Sequence, residues 1–244
     1  AEQEYVDFGT KKVAEMTAEQ IKEALLAADL WPALTQRPYG IIANPEVKPK
    51  AIFVSAFNTA PLAANPEYAL RDEFEHIQTA INALGKLTDG GVHFSLNSAT
   101  YSGTPFHKIE NVIPHVFTGK HPAGNVGVQI HHISPIRKGE TVWTVSLLML
   151  AAIGKLFNTG KYDLKRKIAV TGPKANNPAY VEGYPGIAIK DVADFYNASE
   201  DLRFVSGDVL TGTNVGKDGY LGFFDNQITI LEEGNKYELL GWAK

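Results

Sequence analysis

Cysteine is absent from the 244-residue chain, which excludes disulfides, thiolate zinc sites, a cysteine nucleophile and cysteine-ligated iron–sulfur clusters. Most of the ways a protein carries electrons on its own side chains go with it, and a reducing compartment is compatible with the composition. An excess of positive charge is also missing. The net charge of -4 and pI near 6.0 argue against a phosphate-neutralising surface, so nucleic acid is not an expected partner. Long apolar runs are missing too. The longest nearly uncharged stretch, Thr141 to Gly154, falls short of the roughly 20 residues a spanning helix needs, so no direct membrane span is expected. The opening Ala1-Glu2-Gln3-Glu4-Tyr5 has no Met, basic region or apolar region, and the chain reads as an excised segment of a longer protein.

What is present is an ordinary globular composition, 44% hydrophobic and 20% charged, enough to bury a core. Thr17 followed by Gln20 forms a capping-box pattern, and Ile21, Leu25 and Ala28 recur at helical spacing, which predicts a helix ending at Trp31-Pro32. The run from Ala51 to Phe57 predicts a strand buried on both faces. Asn65-Pro66 then starts a helix in which Leu70, Phe74, Ile77, Ile81 and Leu84 share a face, and Val92 to Leu96 predicts a second strand. Residues 51–97 thus make one strand-helix-strand unit of the Rossmann type. A further strand over Glu140 to Val145 feeds an apolar helix from Ser146 to Asn158 that Gly160 stops. From Lys167 the texture shifts to short β-type runs with one short helix over Lys190 to Tyr196. The expected fold class is α/β: a Rossmann-like parallel-sheet domain over 1–165, a small β-grasp domain over 166–215 and a β-rich tail over 216–244.

Glycine is plentiful yet missing where a dinucleotide would need it. The turn after the first strand is Asn58-Thr59-Ala60-Pro61-Leu62, without the glycines that let a pyrophosphate approach backbone amides. The Gly207 to Gly222 stretch fails as a P-loop, because Gly212 and Gly216 are one residue too close and Lys217 precedes Asp218. Adjacent His131 and His132, read as strand residues, would face opposite sides and could not serve one ion without a bulge. No G-x-S-x-G elbow occurs, and the paired carboxylates Glu73 and Glu75 read as a solvated helix face. No catalytic or metal residue is therefore expected. Trp31, Arg37, Pro38 and Tyr39 combine rigid aromatics with one cation, suited to stack on a flat ring and donate to its carbonyl. The alternative is structural, with Trp31 and Tyr39 capping the core and Arg37 binding a backbone carbonyl.

Several ordered motifs together resemble one family. They are Leu30-Trp31-x-Ala33-Leu34-x-x-Arg37-Pro38-Tyr39, Lys50 to Val54 with Asn58-Thr59-x-Pro61-Leu62-Ala63-Ala64, and His115-Val116-Phe117-x-Gly119-x-His121-Pro122-Ala123-Gly124. Gly154-Lys155-Leu156-Phe157-x-Thr159-Gly160, Gly172-Pro173-x-x-x-Asn177-Pro178 and Ser206-Gly207-x-Val209-Leu210-Thr211-Gly212-Thr213 continue the pattern. Over practically the whole chain this resembles the A subunit of the sodium-translocating NADH:quinone reductase. It is more distantly similar to the flavin-binding subunit of complex I and to the C subunit of the Rnf complex. The resemblance implies a soluble-ligand-binding-type β-grasp domain. It also implies a peripheral position on the cytoplasmic face of the bacterial inner membrane, working with other subunits in electron transfer from NADH to ubiquinone and sodium export. NADH, flavins and an iron–sulfur cluster are then expected in other subunits, with no redox centre bound here. A glycine-rich FMN loop follows the first helix in the complex I relative; Trp31 to Tyr39 stands in that place here, so neither FMN nor NADH binding carries over. Trp31, Arg37, Pro38 and Tyr39 are the quinone-binding candidates that follow. A non-catalytic scaffold binding only partner subunits is the competing expectation.

Overall fold

The structure, a computed structural model, describes residues 6–193, 201–235, 237, 239 and 241. The chain divides into two compact units, Ala1–Arg166 and Lys167–Lys244. In the first, the strands are β1 (Thr35–Arg37), β2 (Ile41–Ile42), β3 (Ile52–Ser55), β4 (Val92–Asn97), β5 (Ile113–Phe117) and β6 (Val142–Thr144). Its helices are α1 (Ala18–Ala27), α2 (Pro66–Ala69), α3 (Phe74–Leu84), α4 (Val126–Ile133) and α5 (Leu147–Thr159). The sheet order is β2-β1-β6-β3-β4-β5, with β6, β3, β4 and β5 parallel and the β1–β2 hairpin added antiparallel at the β6 edge. The parallel part is Rossmann-like, since the chain runs outward from β3 through β4 to β5 and then crosses back to β6.

Right-handed crossovers put α3 on one face and, on the return from β5 to β6, α4 on the other. There α4 lays Ile130 on Ala51, Phe53 and Val142. On the opposite side α3 and α5 cross so closely that a Cβ on Gly154 would sit 1.7 Å from the His76 carbonyl oxygen. The α1 terminus is built as expected, with Thr17 Oγ1 accepting from Gln20 N–H and Gln20 Oε1 accepting from Thr17 N–H. α5 ends on Gly160 in the left-handed conformation, φ 70°.

Three sequence expectations differ from the fold. The helix read from Asn65 through Leu84 is two pieces, because the chain leaves helical geometry between Leu70, whose N–H closes α2 on the Pro66 carbonyl, and Glu73. Leu70 is buried at that break, so apolar spacing reports a shared buried side and not an unbroken helix. His131 and His132 lie on α4 and not on a strand. Valine and glycine make its sequence a poor helix former, and packing of Ile130 and Gln129 under the sheet decides the outcome. In the β-rich tail expected over 216–244, residues 220–224 form no strand and Tyr220 makes only an isolated bridge to Ala188.

The second unit holds β7 (Arg166–Thr171), β8 (Ala179–Gly183), β9 (Leu202–Ser206), β10 (Thr213–Asn214) and β11 (Gln227–Glu232), with a short helix α6 (Ile189–Val192). Residues 194–196 of the helix expected there lie outside the described residues. The sheet order is β10-β9-β11-β7-β8, with β11 parallel to β7 and antiparallel to β9. The sheet therefore continues past residue 215, and residues 227–232 supply an interior strand. Its β-grasp core gathers Ile168, Ile189, Phe204, Ile228 and Ile230.

Replacing Gly154 by Ala drives a methyl group into the α3 backbone, which cannot yield as a side-chain tip would. The expected result is a loss of about 1–3 kcal/mol, read as a lowered urea midpoint in chemical denaturation; an unchanged midpoint would show that α3 and α5 can separate.

Candidate functional site

In an open parallel sheet the usual ligand position is the crevice beyond the strand C-termini where the strand order reverses, here between β3 and β6. The loop after β3 and the loop after β5 meet at this place. Ser55 Oγ lies 2.9 Å from the Phe57 carbonyl and 3.0 Å from that of Gly124, and accepts from Gln129 Nε2 at 2.9 Å. Gln129 Nε2 also donates to the Ala123 carbonyl at 3.0 Å. Thr59 Oγ1 accepts from Gly124 N–H at 3.0 Å and sits 3.2 Å from His121 Nδ1. Gly124 is required, because a Cβ there would come within 2.7 Å of Thr59 N. Gln129 is fully buried, and among the described residues its Oε1 has no partner.

This knot brings together the motifs Asn58 to Ala64 and His115 to Gly124, about 60 residues apart in the sequence. It lies at the loop where a pyrophosphate would rest in a dinucleotide fold. The next helix, α2, begins with Pro66, which has no N–H, and Asn65 Oδ1 already accepts from Glu67 N–H at 2.9 Å and Tyr68 N–H at 3.3 Å. The amide cradle of a dinucleotide fold is therefore not formed at this loop. In the second unit the glycine-rich stretch is likewise closed on its own side chains. Asp208 Oδ1 accepts from Leu210 and Thr211 N–H, and Gly222 N–H donates to Ser206 Oγ.

The residues singled out from the sequence as quinone candidates lie on the antiparallel wing. Trp31 is buried, its Nε1 donating to the Ala43 carbonyl at 2.6 Å and its ring edge-on to Trp143 at 5.4 Å. That matches the structural alternative for Trp31, and it anchors the β1–β2 hairpin to the core. Tyr39 does not cap the core, being 81% exposed, and Pro38 is exposed beside it. The half-buried Arg37 guanidinium does not bind a carbonyl. Among the described residues it has no hydrogen bond or ion pair, and its Nη atoms lie beside Gly40 and Gly127, the latter in the first turn of α4. Among the described residues no three His, Asp or Glu side chains gather as a metal site.

A histidine pair on the α4 side of the sheet was not read from the sequence. His93 on β4 stacks on Phe53 at 4.5 Å and 8°, and its Nδ1 lies 2.9 Å from Nε2 of His115 on β5. One proton bridges the two rings. Burial lowers both pKa values below the ordinary 6.5, and the charge of His115 lowers that of His93 further. The only sequence signs were two histidines at inward positions of strands, one of which was not recognised as a strand.

The model of the "NqrA second alpha/beta domain" matches residues 16–162, and that of the "NQRA C-terminal domain" matches residues 167–217. The chain belongs to the NqrA family. The A subunit of the Na(+)-translocating NADH-quinone reductase of Rhodopirellula baltica is 38% identical over 93% of this chain and 50% of its own length. Those of Vibrio parahaemolyticus and Neisseria meningitidis are 36% and 34% identical over 100% and 98% of the chain and 55% and 54% of their own lengths. The chain thus spans about half the length of the NqrA relatives it matches. In fold it is also similar to the NAD+-reducing [NiFe]-hydrogenase in the air-oxidized state, with a TM-score of 0.56 and 13% identity over 89% of this chain and 47% of that one.

Because both His93 and His115 have folded-state pKa values below the unfolded value, their contribution to stability is present above pH ~6.5 and is lost as pH falls below it. The melting temperature is expected to drop between about pH 7 and 5, and His115→Phe should flatten that drop. An equal slope in both proteins, followed by thermal unfolding, would contradict the coupling.

Proposed function

We propose that the chain is part of a peripheral subunit of a sodium-pumping respiratory NADH:ubiquinone oxidoreductase, and that it contributes quinone binding and subunit docking without a redox centre of its own. The observation that carries the reading is a Rossmann-like sheet of the NqrA family whose ligand crevice is closed by its own side chains. Such a sheet works as a scaffold, and NADH, flavins and an iron–sulfur cluster are then carried by other subunits. Among the described residues no helix is long and apolar enough to cross a membrane, in keeping with a peripheral position, which we assign to the cytoplasmic face of the inner membrane.

For the quinone itself we favour the wing around Arg37, Pro38 and Tyr39. Arg37 has N–H donors that no protein group occupies among the described residues, and a quinone carbonyl accepts such donors. Tyr39 and Pro38 supply an exposed ring and a rigid apolar edge on which a flat headgroup can lie. Trp31 borders this site from below by fixing the hairpin through Ala43. The same wing exposes Ile41 by 53% and Ile42 by 58%, an apolar surface that favours docking of a partner protein.

Illumination with a photoreactive ubiquinone analogue, followed by peptide mapping, is expected to label a peptide from residues 31–43, and excess ubiquinone should suppress the labelling. Arg37→Gln should lower it several-fold while leaving the melting temperature unchanged. Labelling confined to other segments would overturn the quinone assignment and leave docking as the role of the wing.

A further inference from the structure

At the opposite end of the parallel sheet from the closed crevice lies an open groove of about 1090 Å³. It runs between the N-terminal segment 10–15, the ends of α3 and α5, and the start of β4. Its volume slightly exceeds the range of about 300–1,000 Å³ usual for small-molecule clefts, and the proposed quinone and docking wing lies on other elements.

The N-terminal wall of the groove is fixed in place. Lys86 Nζ, just beyond the end of α3, donates to the carbonyls of Val13, Ala14 and Met16 at 2.7–2.9 Å and tethers the segment there. Lys11 N–H donates to the Phe157 carbonyl and ties the same segment to α5. Asn111, in the left-handed conformation at φ 60°, turns its Nδ2 to Asn82 Oδ1, which also accepts from Gln78.

The polar lining is mostly amide. Asn82 Nδ2, Asn111 Oδ1 and Asn158 Oδ1 make no hydrogen bond among the described residues, and Asn158 Nδ2 is spent on His76. Side-chain amides that keep both a donor and acceptors free match the alternating N–H and C=O groups of an extended polypeptide. Val92 and Phe157 are buried beneath the groove and form its floor. At the rim Lys11 and Lys12 face the groove, and Glu15 offsets only one of them, through a 3.5 Å pair with Lys12. With Lys86 counted, the lining charges sum to positive.

We propose that this groove binds an extended segment of a partner protein, with amide side chains pairing to its main chain and an acidic residue of the segment meeting Lys11 and Lys12. Main-chain pairing supplies affinity without demanding a particular side chain, whereas the lysines set the direction of the segment and favour acidic over basic sequences. A second class of occupant, a small anion or nucleotide, would use the lysines and leave the amides idle.

The test is selection of random dodecapeptides displayed on phage against the whole chain, followed by anisotropy titration of the enriched peptides. Enrichment of acidic sequences is expected, with binding weakened about tenfold by the pair Lys11→Glu and Lys12→Glu and weakened by salt. Asn111→Gly keeps the left-handed backbone while deleting the amide, and should weaken the same peptides several-fold with an unchanged melting temperature. The proposal is overturned if no sequence is enriched, if enriched peptides bind the variants equally, or if ATP or pyrophosphate displaces them while Asn111→Gly has no effect.

Discussion

The knot between half-buried Ser55 and buried Gln129 is the constraint on which the C-terminal end of the first sheet depends. A Ser at the end of β3 and a Gln on α4 would each cost free energy if buried alone. Joined to one another and to the Ala123 and Gly124 carbonyls, they fasten two loops that leave the sheet from different strands. The loops after β3 and β5 are thereby tied across the crevice position, and Gly124 is the residue that lets Thr59 approach closely enough to complete the link. The buried Oε1 of Gln129 has no hydrogen-bond partner among the described residues.

With the usual crevice closed, surfaces elsewhere on the sheet are left for function. The antiparallel wing, added at the β6 edge, is anchored by Trp31 through its indole hydrogen bond and its edge contact with Trp143. That anchorage leaves Tyr39 exposed at the hairpin tip and Arg37 half-buried beside the first turn of α4. At the far end of the parallel strands the Lys86 ammonium holds three carbonyls and shapes the amide-lined groove. An α/β scaffold with such borders suits the recognition roles proposed for the wing and the groove, and none of these arrangements requires chemistry by this chain itself.

Much of the α/β character was legible because it rests on local signals. The Thr17 capping box, the Gly160 terminator and the apolar runs of β3 and β4 each depend on residues within a turn or two of one another. The absence of a glycine-rich phosphate loop was equally readable, and the geometry of Asn65 and Pro66 shows its consequence. Less legible were β5, with Pro114 within it and both faces partly exposed, and α4, whose valines and glycine argue against a helix. For the candidate site, Arg37, Pro38 and Tyr39 were identifiable by residue chemistry, but whether Trp31 faced a ligand or the core was not.

The sequence by itself determined the family, the lack of thiol and phosphate-loop chemistry, and the positions of the strongest helices. These follow from composition, ordered motifs and interactions spanning a few residues. The tertiary structure decided that Thr59 meets Gly124, that His93 shares a proton with His115, that the helix after Asn65 breaks at Leu70, and that β11 enters the middle of the second sheet. Each of these depends on strand order, register and close approach between segments far apart in the chain, which local propensity does not encode.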